Sequence, residues 1–211
     1  MFVKPKVMDK GMPRMLAPGD LLGGGESLAN SVLATNGAGT LTAAILTSGF
    51  CIRTTVGAPY TDTTCTAALL IAAIPDCQAG DTFRFRHMNT VAQTCTLAAG
   101  TGCTLGTAPA TTVTASLFKD YLVTITNATP ATTVVCTIAN NSAVITGMSL
   151  AQTSAISVGQ LVTGTGAGAS AKVISIQAGV GVTVDVVSTA DNSAASLTFS
   201  PTYRVDAISM G

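Results

Sequence analysis

The chain of 211 residues contains very few charged or aromatic side chains. Only 9% of its residues are charged, against about a quarter in ordinary globular proteins, and tryptophan is absent. The formal net charge is zero, which disfavours nucleic-acid binding because such binding needs a basic surface. Disorder is also disfavoured, because 47% of the residues are hydrophobic. The composition predicts a folded protein, and so little charge is typical of a protein that works packed in an assembly.

Long apolar runs are missing as well. The longest, residues 67–74 (AALLIAAI), is far shorter than the roughly 20 residues that a membrane-spanning helix needs. The first 15 residues include basic side chains, but no apolar stretch follows them, so we expect no signal peptide. The sequence therefore predicts no membrane partner, and disulfides are not expected in a chain that is not exported.

Patterns that bind metals or perform catalysis are not found. The six cysteines include no C-x-x-C pair, and His87 is the only histidine, whereas zinc sites need ligands paired at short spacing. Several cysteines stand among threonine and β-branched residues, which indicates small buried hydrophobes. Ser154 and Ser170 have no neighbouring histidine. We therefore expect no catalytic residue, no cofactor and no metal, and the chain is predicted not to be an enzyme.

The glycine-rich segment 164–172 (GTGAGASAK) superficially matches a phosphate-binding loop. A Walker loop needs lysine directly before serine or threonine, but here Ser170 precedes Lys172 with an alanine between them. A dinucleotide loop needs the spacing Gly-x-Gly-x-x-Gly, and the three glycines here are evenly spaced. Both loops lead into a helix, whereas KVISI is typical of a strand. The segment is predicted to be a turn between two strands.

Residues 28–131 are predicted to form mainly strands. Residues 40–48 (TLTAAILTS) are β-rich, and residues 94–106 (TCTLAAGTGCTLG) indicate a hairpin. One helix is expected within residues 63–77, capped by Asp62, Thr63 or Thr64 and ended by Pro75.

Residues 82–88 alternate as a strand does. One face carries Phe83, Phe85 and His87, and the other carries Arg84, Arg86 and Met88. His87 is expected in the core or at an interface. Arg84 and Arg86 are candidates for an interface, with a solvated sheet edge as the alternative.

Residues 132–200 change in character and contain only three charged side chains, Lys172, Asp185 and Asp191. Short alternating runs are broken by turn signals, which predicts a small β-sandwich or barrel. Residues 201–209 (PTYRVDAIS) alternate again and could complete the first sheet. The predicted fold is mainly β: a sandwich or barrel-like domain with one short helix (28–131 and 201–211), an inserted β module (132–200) and an extended arm (1–27).

The arm, residues 1–27, is rich in proline, methionine and basic residues. Pro5, Pro13 and Pro18 prevent a continuous helix and favour an extended chain. It is either a loose terminus or a tether that becomes ordered on a partner. The residues expected to contact that partner are Phe2, Val3, Lys4, Lys6, Met8, Lys10, Met12, Arg14, Met15, Leu16, Leu21 and Leu22.

Two segments resemble virion proteins of tailed bacteriophages. Residues 159–166 (GQLVTGTG), 173–176 (VISI) and 197–199 (LTF) are similar to a small β module common in such proteins. A second segment resembles a domain of head-decoration and head-fibre proteins, through Asp62, Ile71, Ile74, Pro75, Gly80, Asp81, Phe83, Asn89 and residues 96–105. The first resemblance implies that the glycine-rich segment is a hairpin turn.

Together the resemblances imply a structural virion protein, a capsid decoration or cement protein. Its expected partners are the major capsid protein and further copies of itself, as a dimer or trimer. It would be made in the bacterial host cytoplasm and lie on the outer surface of the capsid. The alternative is a tail or head fibre with a receptor-adhesion role, although the nine aromatic residues do not cluster along the chain.

Overall fold

The computed structural model describes residues 31–106 and 111–210, so the predicted arm lies outside the described residues. The fold is mainly β, as predicted, and consists of a body and a module. The elements of the body, in chain order, are β1 (Ser31–Leu33), β2 (Gly39–Leu41), α1 (Ala43–Thr47), β3 (Phe50–Arg53), β4 (Tyr60–Thr64), α2 (Ala67–Ala73), β5 (Thr82–Asn89), β6 (Cys95–Ala98), β7 (Cys103–Leu105), β8 (Thr112–Val113), β9 (Phe118–Asn127) and, after the module, β16 (Thr202–Met210).

From β1 to β9, successive strands of the body alternate between two sheets. Sheet 1 has the order β1-β3-β5-β9-β16-β7, and sheet 2 has the order β2-β4-β6-β8. Within each sheet the first three strands run parallel, so the chain coils three times between the sheets. Strand β9 then reverses direction and pairs antiparallel with both β5 and β16.

One hydrophobic core lies between sheet 1 and sheet 2. Strand alternation turns every second side chain inward, and each large apolar side chain buried there stabilises the fold by about 1.5–3 kcal/mol. The largest members are Leu41, Leu46, Leu70, Phe85, Tyr121, Ile125 and Tyr203. Cys65 and Cys95 in this core and Cys136 in that of the module are buried as predicted, and Cys51 is buried as well. Cys103, also predicted to be buried, is half-buried, as is Cys77.

The described residues contain three short helices where the sequence predicted one. The expected helix is α2, but its N-cap is Thr66 and not Asp62, Thr63 or Thr64. Those three residues belong to strand β4. Helix α1 replaces the strand predicted at residues 40–48. The Thr42 side chain accepts a hydrogen bond from the Ile45 N–H, and Gly49, at φ 78°, returns the chain to β3.

The hairpin predicted at residues 94–106 is wrong. Strand β6 pairs with β4 and β8 in sheet 2, whereas β7 pairs with β16 in sheet 1. The connection between them crosses from one sheet to the other. Gly100 passes so close to strand β4 that a Cβ atom there would lie 2.2 Å from the Thr64 carbonyl oxygen, and Gly102 adopts φ 81°. The two glycines therefore permit a tight turn, closed by a hydrogen bond from the Cys103 N–H to the Gly100 carbonyl at 2.9 Å, at the point where the chain crosses between the sheets.

The module forms a third sheet that closes on itself. Its elements are β10 (Thr132–Ile138), β11 (Val144–Thr146), α3 (Leu150–Ser154), β12 (Leu161–Thr163), β13 (Val173–Gln177), β14 (Gly181–Val184) and β15 (Asn192–Ser200). The strand order is β12-β15-β10-β11-β14-β13. A bridge between Leu161 and Lys172 joins the two end strands, and Val162 N–H donates to the Ala171 carbonyl at 2.7 Å. The result is a six-stranded barrel with its own core.

The glycine-rich segment connects β12 to β13, as predicted for a turn between strands. Gly164 and Gly166 have φ values of 143° and 84°. A Cβ atom on Gly164 would lie 2.6 Å from the Ser196 carbonyl oxygen, and Gly168 is similarly close to Val187. The glycines are explained by the close approach of this connection to the backbone of Ser196 and Val187.

Body and module are joined where β9 ends and β16 begins. Asn127 and Thr202 are register partners across that ladder. The Asn127 amide donates to Ser157 Oγ at 2.7 Å and to the Val158 carbonyl at 2.8 Å. The fully buried Gln160 donates to the carbonyl of Thr129 at 3.3 Å. These polar contacts fix the segment through which the chain enters the module.

Candidate functional site

The side of sheet 1 that faces away from the core is the candidate site, and we call it the outer face. On β5, Arg84 and Met88 alternate with the buried Phe85 and His87 and so point outward. Register with β9 places Arg86 opposite Asp120 on the same face. Arg84 is exposed and Arg86 is half-buried. Both residues proposed from the sequence as interface candidates therefore lie on the outer face.

One end of the outer face is apolar. Val32, Ile52, Met88 and Phe118 are register partners across the four adjacent strands β1, β3, β5 and β9, and we call them the apolar row. Val32 is 56% exposed and the other three are half-buried. Phe50 lies on the same face of β3, two residues before Ile52. Contiguous apolar surface of this kind marks interaction sites in soluble proteins.

The charges of the outer face are mostly neutralised within it. Arg86 Nε lies 2.6 Å from Asp120 Oδ1, and Nη2 lies 2.8 Å from Oδ2, while the guanidinium stacks 4.2 Å from the Phe118 ring centre. The hydrogen bond to Asp120 raises the pKa of Arg86 above its ordinary value. Arg204 forms a second pair with Asp206, at 2.7 Å.

Arg84 has no anionic partner among the described residues. Three arginines and two aspartates leave the outer face with a net charge of +1, which Arg84 supplies. A face whose other charges are already paired is easier to dehydrate than one with free ions.

Beneath this face lies a buried polar cluster that the sequence did not reveal. Arg53, Asp62, His87 and Cys95 form it, and none is more than 1% exposed. Arg53 Nη2 lies 3.1 Å from Asp62 Oδ1, and His87 Nε2 lies 3.1 Å from Asp62 Oδ2. Asp62 was a candidate helix cap in the sequence. Its actual partners come from other strands, up to 33 residues away, so no local sequence pattern predicts them.

The same cluster contains the one group among the described residues that could hold a metal ion. The ligand atoms of Asp62, His87 and Cys95 lie within 4.8 Å of one another. However, the Arg53 guanidinium already pairs with the Asp62 carboxylate. Its positive charge disfavours the binding of a second cation there. Burial, with the charge of Asp62, raises the pKa of the Cys95 thiol to about 12, so the thiol stays protonated and donates to Asp62 at 3.6 Å. The geometry favours a hydrogen-bonded network over a metal site.

A cleft of about 730 Å³ separates the β6–β7 connection from the module. Threonine side chains line it, together with Lys172 and Asp185 of the barrel. The Lys172 N–H donates to Asp185 Oδ1 at 2.6 Å, so the carboxylate fastens the backbone next to the glycine-rich segment. With one cation beside one carboxylate and no helix terminus, the cleft lacks the features of a phosphate site.

The sites predicted in the arm, from Phe2 to Leu22, precede the described residues. Within the described part of the chain, no helix is both long and apolar enough to cross a membrane. The candidate surface is thus the outer face, supported from within by the buried cluster. Comparisons of the chain with protein-family models, with curated proteins and with solved structures found no match.

Proposed function

We propose that this chain is a structural virion protein, a decoration or cement protein that binds across major capsid subunits of a bacteriophage head and stabilises the shell. The observation that carries the proposal is the outer face: a broad, weakly charged sheet surface with an apolar row, above a core in which Arg53 and His87 both pair with Asp62. Such an arrangement suits binding to a protein surface. The sequence resemblances to tailed-phage virion proteins support the same role.

In this proposal the arm makes the main contact with the capsid. Residues 1–15 carry four basic side chains and one acidic side chain, and apolar residues are spaced among them. Ordering an extended chain costs about 1–2 kcal/mol per residue, so burial of the apolar side chains must offset that cost. The basic residues favour an acidic patch on the shell and speed docking more than they increase affinity. The site would be the outer surface of the capsid.

Binding of undecorated capsids tests the proposal. Removing residues 1–22 should leave the body folded but abolish or greatly weaken capsid binding, measured as copies bound after sedimentation. A matched variant with Lys4, Lys6, Lys10 and Arg14 changed to alanine should dock more slowly and keep more of its affinity. Full occupancy by the truncated protein would show that the arm is not the anchor. If the intact chain also fails to bind any capsid, the decoration role itself is wrong.

A fibre or receptor-adhesion role is the second candidate. The observation that favours it is the barrel, which is inserted between two neighbouring strands of the body and carries exposed apolar side chains, such as Leu150 and Ile174. The number of copies in purified virions separates the two roles. A decoration protein covers the shell in many copies, whereas a fibre is present in few.

A further inference from the structure

We infer that the outer face of sheet 1 is the surface through which the chain packs against a second copy of itself. The inference rests on the proposed function, in which several copies sit on a symmetric shell, and it names the surface that they use. It does not involve the arm. Capsid binding by the arm and self-association through the outer face can therefore be disproved separately.

The apolar row is suited to contact with its own copy. Val32, Ile52, Met88 and Phe118 lie side by side at one end of the face, whereas Thr82 and Thr124 lie at the other. A two-fold axis through the apolar end would place the row of one copy on the row of the other. Two sheets that pack face to face interdigitate such side chains at about 10 Å separation.

The size of the face also fits a stable pair. Six strands at about 4.8 Å spacing span about 24 Å, and a ten-residue strand such as β9 is about 33 Å long. With shorter strands at the edges, the face offers roughly 600–800 Å², close to the roughly 800 Å² per partner of a standard interface.

The charges indicate which partner covers the face. The pairs of Arg86 with Asp120 and of Arg204 with Asp206 need no outside partner. Arg84 remains as the net charge of the face. The first 15 residues of the chain carry a net charge of +3, so the face, at +1, repels them more strongly than it repels a second copy of itself, which also carries +1. Of these two covers, the second copy is therefore the more favourable.

Two isoleucines provide a matched test. Ile52 lies in the apolar row, and Ile174 lies on strand β13 of the barrel, 54% exposed. In sedimentation velocity over a range of concentrations, the full-length chain should associate. Ile52→Glu should weaken association by about 100-fold or more, because an unpaired carboxylate would be buried. Ile174→Glu should associate as the unchanged protein does. Circular dichroism and thermal unfolding of each variant check that it is folded.

Val32→Glu gives a second variant that is easier to accommodate, because Val32 is 56% exposed on an edge strand. Like Ile52→Glu, this variant should associate more weakly than the unchanged protein. A monomeric parent protein at high concentration, or association unchanged in both face variants, would overturn the inference. Face variants that still associate but no longer coat capsids would also overturn it and would assign the face to the capsid. Variants that are monomeric yet still bind capsids would uphold it.

Discussion

Arg53 and Asp62 form an ion pair that connects the two sheets of the body through the core. Arg53 Nη2 lies 3.1 Å from Asp62 Oδ1, and neither side chain is exposed to solvent. Arg53 comes from β3 in sheet 1 and Asp62 from β4 in sheet 2. The guanidinium also donates to the carbonyls of Leu33 and Thr35, at 3.2 and 3.0 Å, and so holds the β1–β2 connection.

Removing one partner of this pair should destabilise the protein strongly. Asp62→Asn leaves the Arg53 charge buried without an anion, and we expect a loss of about 3–5 kcal/mol in the free energy of unfolding. Urea unfolding followed by circular dichroism measures it. The double variant Arg53→Met with Asp62→Leu should lose less than the sum of the single changes, because no unpaired charge remains. A loss below about 1 kcal/mol for Asp62→Asn would contradict the buried pair.

Stability should fall steeply in alkali. Burial raises the pKa of Cys51 and of Cys95 from 9.0 to about 12, with the charge of Asp62 as the next cause. The folded state therefore keeps these thiols protonated, whereas the unfolded chain loses their protons above pH 9. The stabilisation is complete below pH 9 and is lost as the pH rises towards 12, by about 1.4 kcal/mol per pH unit and thiol.

Chemical denaturation at a series of pH values between 8 and 11 tests this dependence on the thiols. A Cys51→Ala, Cys95→Ala variant should show a shallower decline than the parent, although it starts from lower stability. Equal slopes in the two proteins would show that other groups, such as the buried tyrosines, govern the alkaline limit.

The body should fold without the module. Asn127 and Thr202 already face each other across the β9–β16 ladder, so residues 128–201 can be replaced by Asn-Gly, the preferred two-residue hairpin turn. We expect a soluble protein with cooperative unfolding. Its stability should fall by a few kcal/mol, because each hydrogen bond lost at the junction contributes about 0.5–1.5 kcal/mol.

Thermal unfolding and capsid sedimentation of this deletion variant provide the readouts. An insoluble or non-cooperative product would show that the body depends on the barrel. A folded product that no longer coats capsids would make the module part of the capsid contact.

The sequence was informative wherever a local pattern decides the structure. Alternation of Phe85 and His87 with Arg84 and Arg86 predicted the two faces of β5, and the turn at Gly164 followed from its flanking β-branched runs. Strand partners were not predictable in the same way. Residues 95–98 and 103–105 are strands as expected, but they join different sheets, because alternation specifies a face and not a neighbour.

The candidate site was only half predictable for the same physical reason. Arg84 and Arg86 were visible as outward positions of one strand, but the apolar row exists only through the register of four strands. Asp62 looked like a helix cap because its true partners, Arg53 and His87, are distant in the sequence. Thr66 became the cap because residues before it had joined a strand.

The way the barrel is inserted determines how the protein bears mechanical load. A force that pulls on the barrel acts on β9 and β16 together, along the length of both strands. These strands lie between β5 and β7 in sheet 1, so the tension is carried as shear by whole rows of backbone hydrogen bonds that must break at once. A pull on the barrel along these strands therefore loads the body in shear and does not peel its sheet open from an end.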